Sequence, residues 1–287
     1  MERNYELLKE VLSIPTKTYQ EDLMVEFITN WLEENGIPFN VDEHYNIYAV
    51  KQTDEFVDYF PCVIAHTDTV HSIDSINIRE EMLQNSQYEI KPALKAYNNF
   101  GEPTGIGGDD KCGVYACLEL LKELPNLKAA FFVSEETGCH GSKKADPNFF
   151  MNVGYGIQFD APGNRMVTEV CMGTRLFERD SEFFETCNGV LNESFKGEQE
   201  YFSNPYTDVY ALKNSFDFAC INFAIGYYDY HTRNEYVVVE DVYNGIETGK
   251  KMIEGLGNKK YQYVLEPSHR RMSVSYTHLT LPTIYSV

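Results

Sequence analysis

The sequence predicts a single α/β domain of three layers, in which a mostly parallel mixed sheet is covered by helices on both faces. Short apolar runs rich in β-forming residues alternate along the chain with segments whose apolar residues recur at helical spacing. The 287 residues, 43% of them hydrophobic, suffice for one large domain. No internal repeat or low-complexity segment divides the sequence.

Each element follows from a local pattern. Apolar residues at helical spacing predict helices at 5–12, 21–35, 110–124, 207–212 and 239–256. Gly36 ends the second of these helices. Runs of β-forming residues predict strands at 46–52, 61–65, 128–133, 155–159 and 218–225, with a further strand or hairpin at 88–97. The segment 171–206 is rich in Phe and Glu and has no clear assignment.

Composition excludes several classes of partner. The formal charge of −20 opposes contact with nucleic acid and anionic lipid. No apolar run approaches the roughly 20 residues that span a bilayer, and the first residues lack the pattern of a signal peptide. Seven cysteines, an odd number without framework spacing, indicate buried thiols in a reducing compartment. We therefore expect a cytoplasmic protein without nucleic acid or membrane partners.

The carboxyl-terminal stretch looks foreign to the domain. Residues 274–283 resemble translated sequencing-adapter DNA, and they follow a basic, polar segment at 268–272. We expect one catalytic domain at 1–271 and a non-native tail at 272–287, so that His278 is not a ligand. The alternative is a genuine tail rich in β-forming residues.

Candidate metal ligands stand at or just after the ends of predicted strands. In α/β sheets, sites form outside the carboxyl ends of the strands. Five such residues at one edge are a stronger signal than any of them alone. They are His66, Asp109, Glu136, Asp160 and His231.

The first two candidates have structural alternatives. A lone histidine such as His66 is more often structural, but Asp68, two residues on, can fix its tautomer as carboxylates do for zinc-bound histidine. An aspartate before a helix is often an N-cap. The pair Asp109 and Asp110 after a Gly-rich turn favours a carboxylate shared between two metal ions.

The adjacent acids Glu135 and Glu136 follow an apolar run, where two carboxylates are costly unless cations or protons accompany them. One can bind a metal while the other handles protons, although a solvated loop is the alternative. Histidine and carboxylate ligands suit Zn²⁺, with Co²⁺ or Mn²⁺ as substitutes. The cysteines are not at metal-site spacing.

Together, these motifs resemble the co-catalytic di-zinc exopeptidases, which include peptidase T-like tripeptidases, carboxypeptidase G and the aminoacylases. The resemblance spans about residues 5–256, and its matching motifs lie at 66–68, 108–111, 135–136, 160 and 226–237. It implies a zinc-exopeptidase-like fold and two Zn²⁺ ions. It also implies a cis peptide bond after Asp109.

The resemblance divides the residues between roles. His66 and Asp160 would hold one ion, Glu136 and His231 the other, and Asp109 would bridge them. Glu135 would be the general base, and Asp68 would assist catalysis by orienting His66.

One departure from the family concerns the lid. Familiar members insert a lid and dimerisation domain between the ligands that match Asp160 and His231, which here are only 71 positions apart. The chain is therefore expected to be lidless, similar in this respect to single-domain zinc aminopeptidases. A lid-mediated dimer is not expected.

The leading functional prediction is a di-zinc aminopeptidase or tripeptidase that hydrolyses short peptides from the amino terminus. The alternatives are a carboxypeptidase or N-acyl amino acid deacylase, for which Arg175 and Arg233 are candidate carboxylate-binding groups, and a silent zinc-fold binding protein, against which Glu135 argues. The pocket is expected to be lined by Asp208, unless that residue is a helix N-cap, and by the tyrosines Tyr227, Tyr228 and Tyr230.

Overall fold

The structure is a computed structural model that describes residues 3–53, 56–72, 76–84, 90–204 and 206–265. The predicted tail at 272–287 lies outside these ranges. The helices of the described residues are α1 (Tyr5–Ser13), α2 (Asp22–Glu34), α3 (Gly108–Glu123), α4 (Pro147–Phe150), α5 (Glu182–Ser194), α6 (Asp208–Ser215) and α7 (Val239–Leu256). None of them is long and apolar enough to cross a membrane.

The strands form two sheets. Those of the larger sheet are β1 (Phe39–Val41), β2 (Ile47–Lys51), β3 (Phe60–His66), β6 (Leu127–Phe132), β7 (Val153–Ala161), β8 (Met166–Cys171), β9 (Thr174–Arg175), β10 (Glu200–Asn204) and β11 (Ala219–Ala224). Those of the smaller sheet are β4 (Asn77–Gln84), β5 (Ile90–Tyr97), β12 (Tyr227–Tyr228) and β13 (Tyr236–Val238).

The larger sheet has parallel pairing at its centre. Its strand order is β1-β2-β6-β3-β7-β11-β8-β10, with β9 paired to β8. The neighbours β6, β3, β7 and β11 run parallel, whereas β1, β2 and β9 pair antiparallel and β8 runs antiparallel to β11. The smaller sheet is antiparallel, in the order β12-β13-β5-β4. The predicted mixed α/β sheet is confirmed, and the second sheet is an addition to it.

Helices cover both faces of the larger sheet, as successive residues of β7 demonstrate. Gln158 accepts a hydrogen bond from the backbone N–H of Val209 in α6. The next residue, Phe159, lies so close to α7 that a Cβ added at Gly249 would meet its ring at 2.5 Å. Because adjacent side chains of a strand point to opposite faces, α6 and α7 lie on opposite sides. This confirms the predicted three layers.

The segment without a clear assignment, 171–206, belongs to the same domain. It contributes β9, α5 and β10, and α5 packs along α7. Its aromatic residues are part of the core, because the buried Phe183 packs against Tyr155 of β7 and the buried Phe177 packs against Phe183. All seven cysteines are free and buried.

Candidate metal centre

Neighbouring parallel strands bring candidate ligands to one edge of the larger sheet. β3 ends at His66, β7 ends one residue after Asp160, and the pair Glu135–Glu136 follows β6. Since β3 pairs in parallel with both other strands, the three carboxyl ends lie together. The convergence expected from the strand ends is therefore present in the fold.

Asp109 stands between two histidines. It lies at the start of α3 after the Gly-rich turn, and its peptide bond to Asp110 is cis, as the resemblance implies. Its Oδ1 is 3.1 Å from Nε2 of His66, and its Oδ2 is 3.2 Å from Nε2 of His231. One carboxylate thus offers one oxygen to each histidine, which is the geometry required of a bridging ligand.

The other two acids divide between the histidines. Oε2 of Glu136 is 3.0 Å from Nε2 of His231, and Oδ1 of Asp160 is 3.8 Å from Nε2 of His66. Ligand atoms of His66, Asp109 and Glu136 all lie within 4.8 Å of one another. The five residues therefore form two adjoining half-sites around Asp109, and their binding of ions stays a prediction.

The hydrogen bonding of His66 fits a cation at this place. Its Nδ1 lies 3.0 Å from the backbone oxygen of Asp68, which can only accept, so Nδ1 carries a proton. In the neutral ring, Nε2 then presents a lone pair to Asp109 and Asp160, whose ionised oxygens are also acceptors. A further proton, on the ring or on a carboxyl, or else a metal ion must therefore lie between them.

The distances between the ligand atoms also fit zinc, as does a buried carboxylate oxygen that has no hydrogen-bond donor among the described residues. Ligands about 2.0–2.1 Å from a tetrahedral zinc lie about 3.3 Å from each other. The shortest contacts between histidine and carboxylate atoms here are 3.0–3.2 Å. Oε1 of Glu136 is buried and has no hydrogen-bond partner among the described residues. A buried carboxylate oxygen without a donor is costly, and a cation would supply its partner.

Burial makes this cluster of acids difficult to ionise. Burial raises the pKa of Glu136 to about 7, and burial with the charge of Asp109 raises the pKa of Asp160 to about 6. Burial likewise raises the pKa of Glu135 well above its usual range. Burial alone would raise the pKa of Asp109 too, but hydrogen bonds from His231 and His66 lower it. A divalent cation would neutralise the charge that burial penalises.

Asp68 supports the glutamate pair as well as His66. Its Oδ1 lies 3.4 Å from Nδ1 of His66, further than its own backbone oxygen, so the backbone makes the closer contact with the ring. The carboxylate instead accepts the backbone N–H groups of Glu135 at 2.9 Å and Glu136 at 3.3 Å, together with the hydroxyl of Thr18. Asp68 therefore joins the end of β3 to the loop after β6.

Glu135 faces the half-site of His66. Its Oε2 is 3.9 Å from Nε2 of His66, and its Oε1 accepts a hydrogen bond from the thiol of Cys139 at 3.3 Å. Glu135 is 7% exposed, and it is among the residues that line the cavity above the candidate ligands. This is a suitable position for a group that exchanges protons with a reactant.

Two buried acids near the site were not predicted as functional. Asp110 accepts the backbone N–H groups of His66 at 3.2 Å and Gly113 at 3.0 Å, so it ties β3 to the first turn of α3. Glu235, which is 1% exposed, accepts the backbone N–H groups of Gly107 and Asp109. The only sequence signals were the second Asp of the pair and the glutamate four residues after His231.

A cavity of about 230 Å³ opens above the candidate ligands. It is lined by Asp109, Glu135, Glu136, Gly138, Asp160, Pro162, Met166, Tyr206, Tyr227, Tyr230 and His231. Tyr227 and Tyr230 thus lie where the sequence predicts. Tyr206 and Met166 are additions to the predicted lining; Met166 follows Asp160 by six residues, and Tyr206 stands two residues before Asp208.

Two pocket predictions are wrong. Tyr228 is not among the residues that line the cavity; it donates a hydrogen bond to Asp241 and stacks on Tyr236. Asp208 is fully buried as the first residue of α6, where Gln158 contacts it, and Thr207 is the N-cap residue. Asp208 is therefore neither a cavity wall nor the N-cap.

The candidate carboxylate-binding arginines are also absent from the cavity lining. Arg175 pairs with Glu169 at the surface. Arg233 contributes its backbone oxygen to the Gly-rich turn, where it accepts the N–H of Gly105.

Comparison with solved structures identifies the fold class. An aminopeptidase PepT from Bacillus cereus superposes with a TM-score of 0.71 at 14% identity, covering 88% of this chain and 97% of that one. A tripeptidase from Staphylococcus aureus gives 0.67 at 13% identity, with 87% and 96% covered. An aminopeptidase from Desulfurococcus kamchatkensis gives 0.63 at 14% identity, with 87% and 94% covered.

At these identities the similarity is one of fold. The chain therefore has the fold of these peptidases, as the sequence motifs imply. No family model matches the sequence, and no curated protein is similar to it in sequence.

Proposed function

We propose that this chain is a metal-dependent exopeptidase that removes residues from the amino terminus of short peptides. The observation that carries the proposal is the carboxylate of Asp109, with one oxygen 3.1 Å from His66 and the other 3.2 Å from His231. The fold shared with aminopeptidases and a tripeptidase supports the same class.

The residues fit a pair of divalent ions, for which Zn²⁺ is the best candidate and Co²⁺ or Mn²⁺ are substitutes. His66 and Asp160 would hold one ion, His231 and Glu136 the other, and Asp109 would serve both. When bound, such a pair would polarise the carbonyl group of the scissile bond and lower the pKa of a water molecule.

The protein's own contribution to the chemistry centres on Glu135. Its carboxylate would accept a proton from the attacking water at one oxygen and later donate it to the leaving amine. The thiol of Cys139 donates a hydrogen bond to Oε1 of Glu135, whereas Oε2 of Glu135 faces His66. Tyr227 donates a hydrogen bond to Oδ1 of Asp160 at 3.3 Å and so holds the acid on the cavity wall.

The cavity favours the amino end of a peptide over its carboxyl end. Four of its lining residues are acids, and no Lys or Arg is among those that line it in the described part of the chain. A terminal carboxylate would find no cationic side chain among these residues, and the four acids are already assigned as metal ligands and as the base. The buried free cysteines favour a cytoplasmic location, and the domain is proposed to work without a lid.

The test combines metal content with paired substrates. We expect about two metal ions per chain, cleavage of an unblocked tripeptide, and none of its N-acetylated analogue. Glu135→Gln should retain the ions and lose about 10²–10⁴-fold in kcat. Glu34→Gln, at an exposed position of α2, is the matched control and should keep full activity.

Other results would redirect or refute the proposal. Cleavage of the blocked peptide alone would transfer the activity to the deacylase or carboxypeptidase class. Metal binding without turnover of either peptide would favour a binding protein. Full activity in Glu135→Gln would overturn the assigned base.

A further inference from the structure

Glu235 is a buried acid at the junction of the metal centre's loops. Its Oε2 accepts the backbone N–H of Gly107 at 3.0 Å, and its Oε1 accepts the backbone N–H of Asp109 at 3.1 Å. The two oxygens thus span the turn that leads into α3. Because the second bond is made to Asp109 itself, Glu235 fixes the backbone from which the shared carboxylate extends.

His71 makes a third hydrogen bond to this acid. Its Nε2 lies 2.5 Å from Oε2 of Glu235, and its side chain is only 10% exposed. The ring lies against Gly105, where an added Cβ would come within 2.2 Å of it. The acceptor-only carboxylate requires a proton on Nε2, so the imidazole donates this hydrogen bond.

The three members of this network come from three different segments of the site. His71 follows His66 by five residues, and Glu235 follows His231 by four. The third member is the backbone of Asp109. A second hydrogen bond joins the segments of Glu235 and Asp109, because the N–H of Gly105 donates to the backbone oxygen of Arg233 at 2.9 Å.

We propose that His71 is a positioning residue that holds Glu235 and thereby sets the spacing of the two half-sites around Asp109. This inference rests on the proposed function, since it assigns a purpose to the spacing of metal ligands. Without the imidazole, Oε2 of Glu235 keeps a single donor in an almost fully buried place. The acid would then shift to find a partner, and the backbone of Asp109 would shift with it.

The experiment measures zinc affinity directly, by competition with a chromogenic chelator on the full chain. For His71→Ala we expect zinc affinity to fall about tenfold, as for other residues that orient ligands. His71→Gln places an amide donor near the position of Nε2 and should restore affinity to within about threefold of the parent. His44→Ala is the control, because the side chain of that histidine is 42% exposed and its Nε2 lies 3.7 Å from Glu43, which is not a candidate ligand.

Further measurements separate positioning from a structural role. The metal-free His71→Ala protein should melt about 2–12 °C below the parent, because a buried carboxylate loses a donor, and saturating zinc should restore its kcat. Should His71→Ala fail to fold, Glu235→Gln replaces it, since an amide offers one acceptor oxygen where the carboxylate offers two. That variant should also weaken zinc binding.

Specific results would overturn the inference. Unchanged zinc affinity in His71→Ala or Glu235→Gln would refute it, as would a failure of His71→Gln to restore binding. A lower melting temperature of the metal-free variant with unchanged affinity would indicate a merely structural histidine. Absence of metal binding by the parent chain would instead refute the proposed function, so the two failures are distinguishable.

Discussion

Removal of the metal ions should destabilise the protein strongly. The cavity holds the carboxyls of Asp109, Glu135, Glu136 and Asp160, and burial raises the pKa of three of them. An ion that binds only the folded chain stabilises it by about 2.7 kcal/mol when its free concentration is 100 times its Kd. Two such sites would contribute roughly 5 kcal/mol.

That free energy corresponds to a large shift in melting temperature. A domain of this size loses about 2–4 °C per kcal/mol, so a chelator should lower Tm by about 10–20 °C. The assay is differential scanning calorimetry of the chelated protein at increasing zinc concentrations. Tm should climb with the logarithm of free zinc once the sites fill.

Asp109→Ala provides the internal control for this prediction. Because each oxygen of Asp109 faces a different histidine, the variant loses a ligand from both half-sites at once. Its Tm should respond to zinc far less than that of the parent. If millimolar zinc left the Tm of the parent unchanged, or stabilised Asp109→Ala equally, the assignment of the ligands would be wrong.

Two further predictions concern residues behind the ligands. Asp68→Asn should retain the metal but lower kcat about 10–100-fold, because an amide offers one acceptor oxygen to the donors that the carboxylate now holds. Unchanged kcat relative to the exposed control Asp180→Asn would contradict this. Gly113→Ala should lower the free energy of unfolding, measured with urea, by about 1–3 kcal/mol, because the added Cβ would lie 2.2 Å from the carboxyl of Asp110. Gly189→Ala in α5, with open space around the position, should cost nothing, and equal stability of the two variants would refute the argument.

The central part of the fold could be predicted from local sequence patterns. β3, β6, β7 and β11 are buried along their whole length and are therefore nearly continuous apolar runs in the sequence. β4 was missed because its sequence, Asn-Ile-Arg-Glu-Glu-Met-Leu-Gln, carries four polar residues in its first five and alternates poorly. Its pairing with β5 gives this segment its conformation, and such a contact leaves no periodic signal.

The segment 171–206 was unassigned for a related reason. α5 has buried residues only at Phe183, Phe184, Cys187 and Leu191, and an Asn-Gly pair interrupts its polar side. β10 is an edge strand that pairs in parallel with β8. Both elements depend on contacts with distant parts of the chain, so local propensity describes them poorly.

The candidate ligands were accessible to sequence reasoning because of where they stand on the strands. Parallel strands deliver their last residues to the same edge, so His66 and Asp160 could be placed in one site before their distance was known, whereas their assignment to one ion came from the resemblance. Asp110, Glu235 and Cys139 act through hydrogen bonds to backbone groups or to Glu135. Such contacts depend on the path of loops, which no spacing rule describes.

The charges at the centre favour two ions over one. With all four cavity carboxylates ionised and both histidines neutral, the site carries four negative charges. Two divalent ions balance these charges, whereas a single ion leaves two uncompensated charges in a mostly buried place. Protons alone would have to occupy both imidazoles and further carboxyls, which would remove the lone pair of His66 and the basicity of Glu135. A measured stoichiometry of one ion per fully active chain would contradict this balance and would require two further protons on the carboxyls or imidazoles of the active protein.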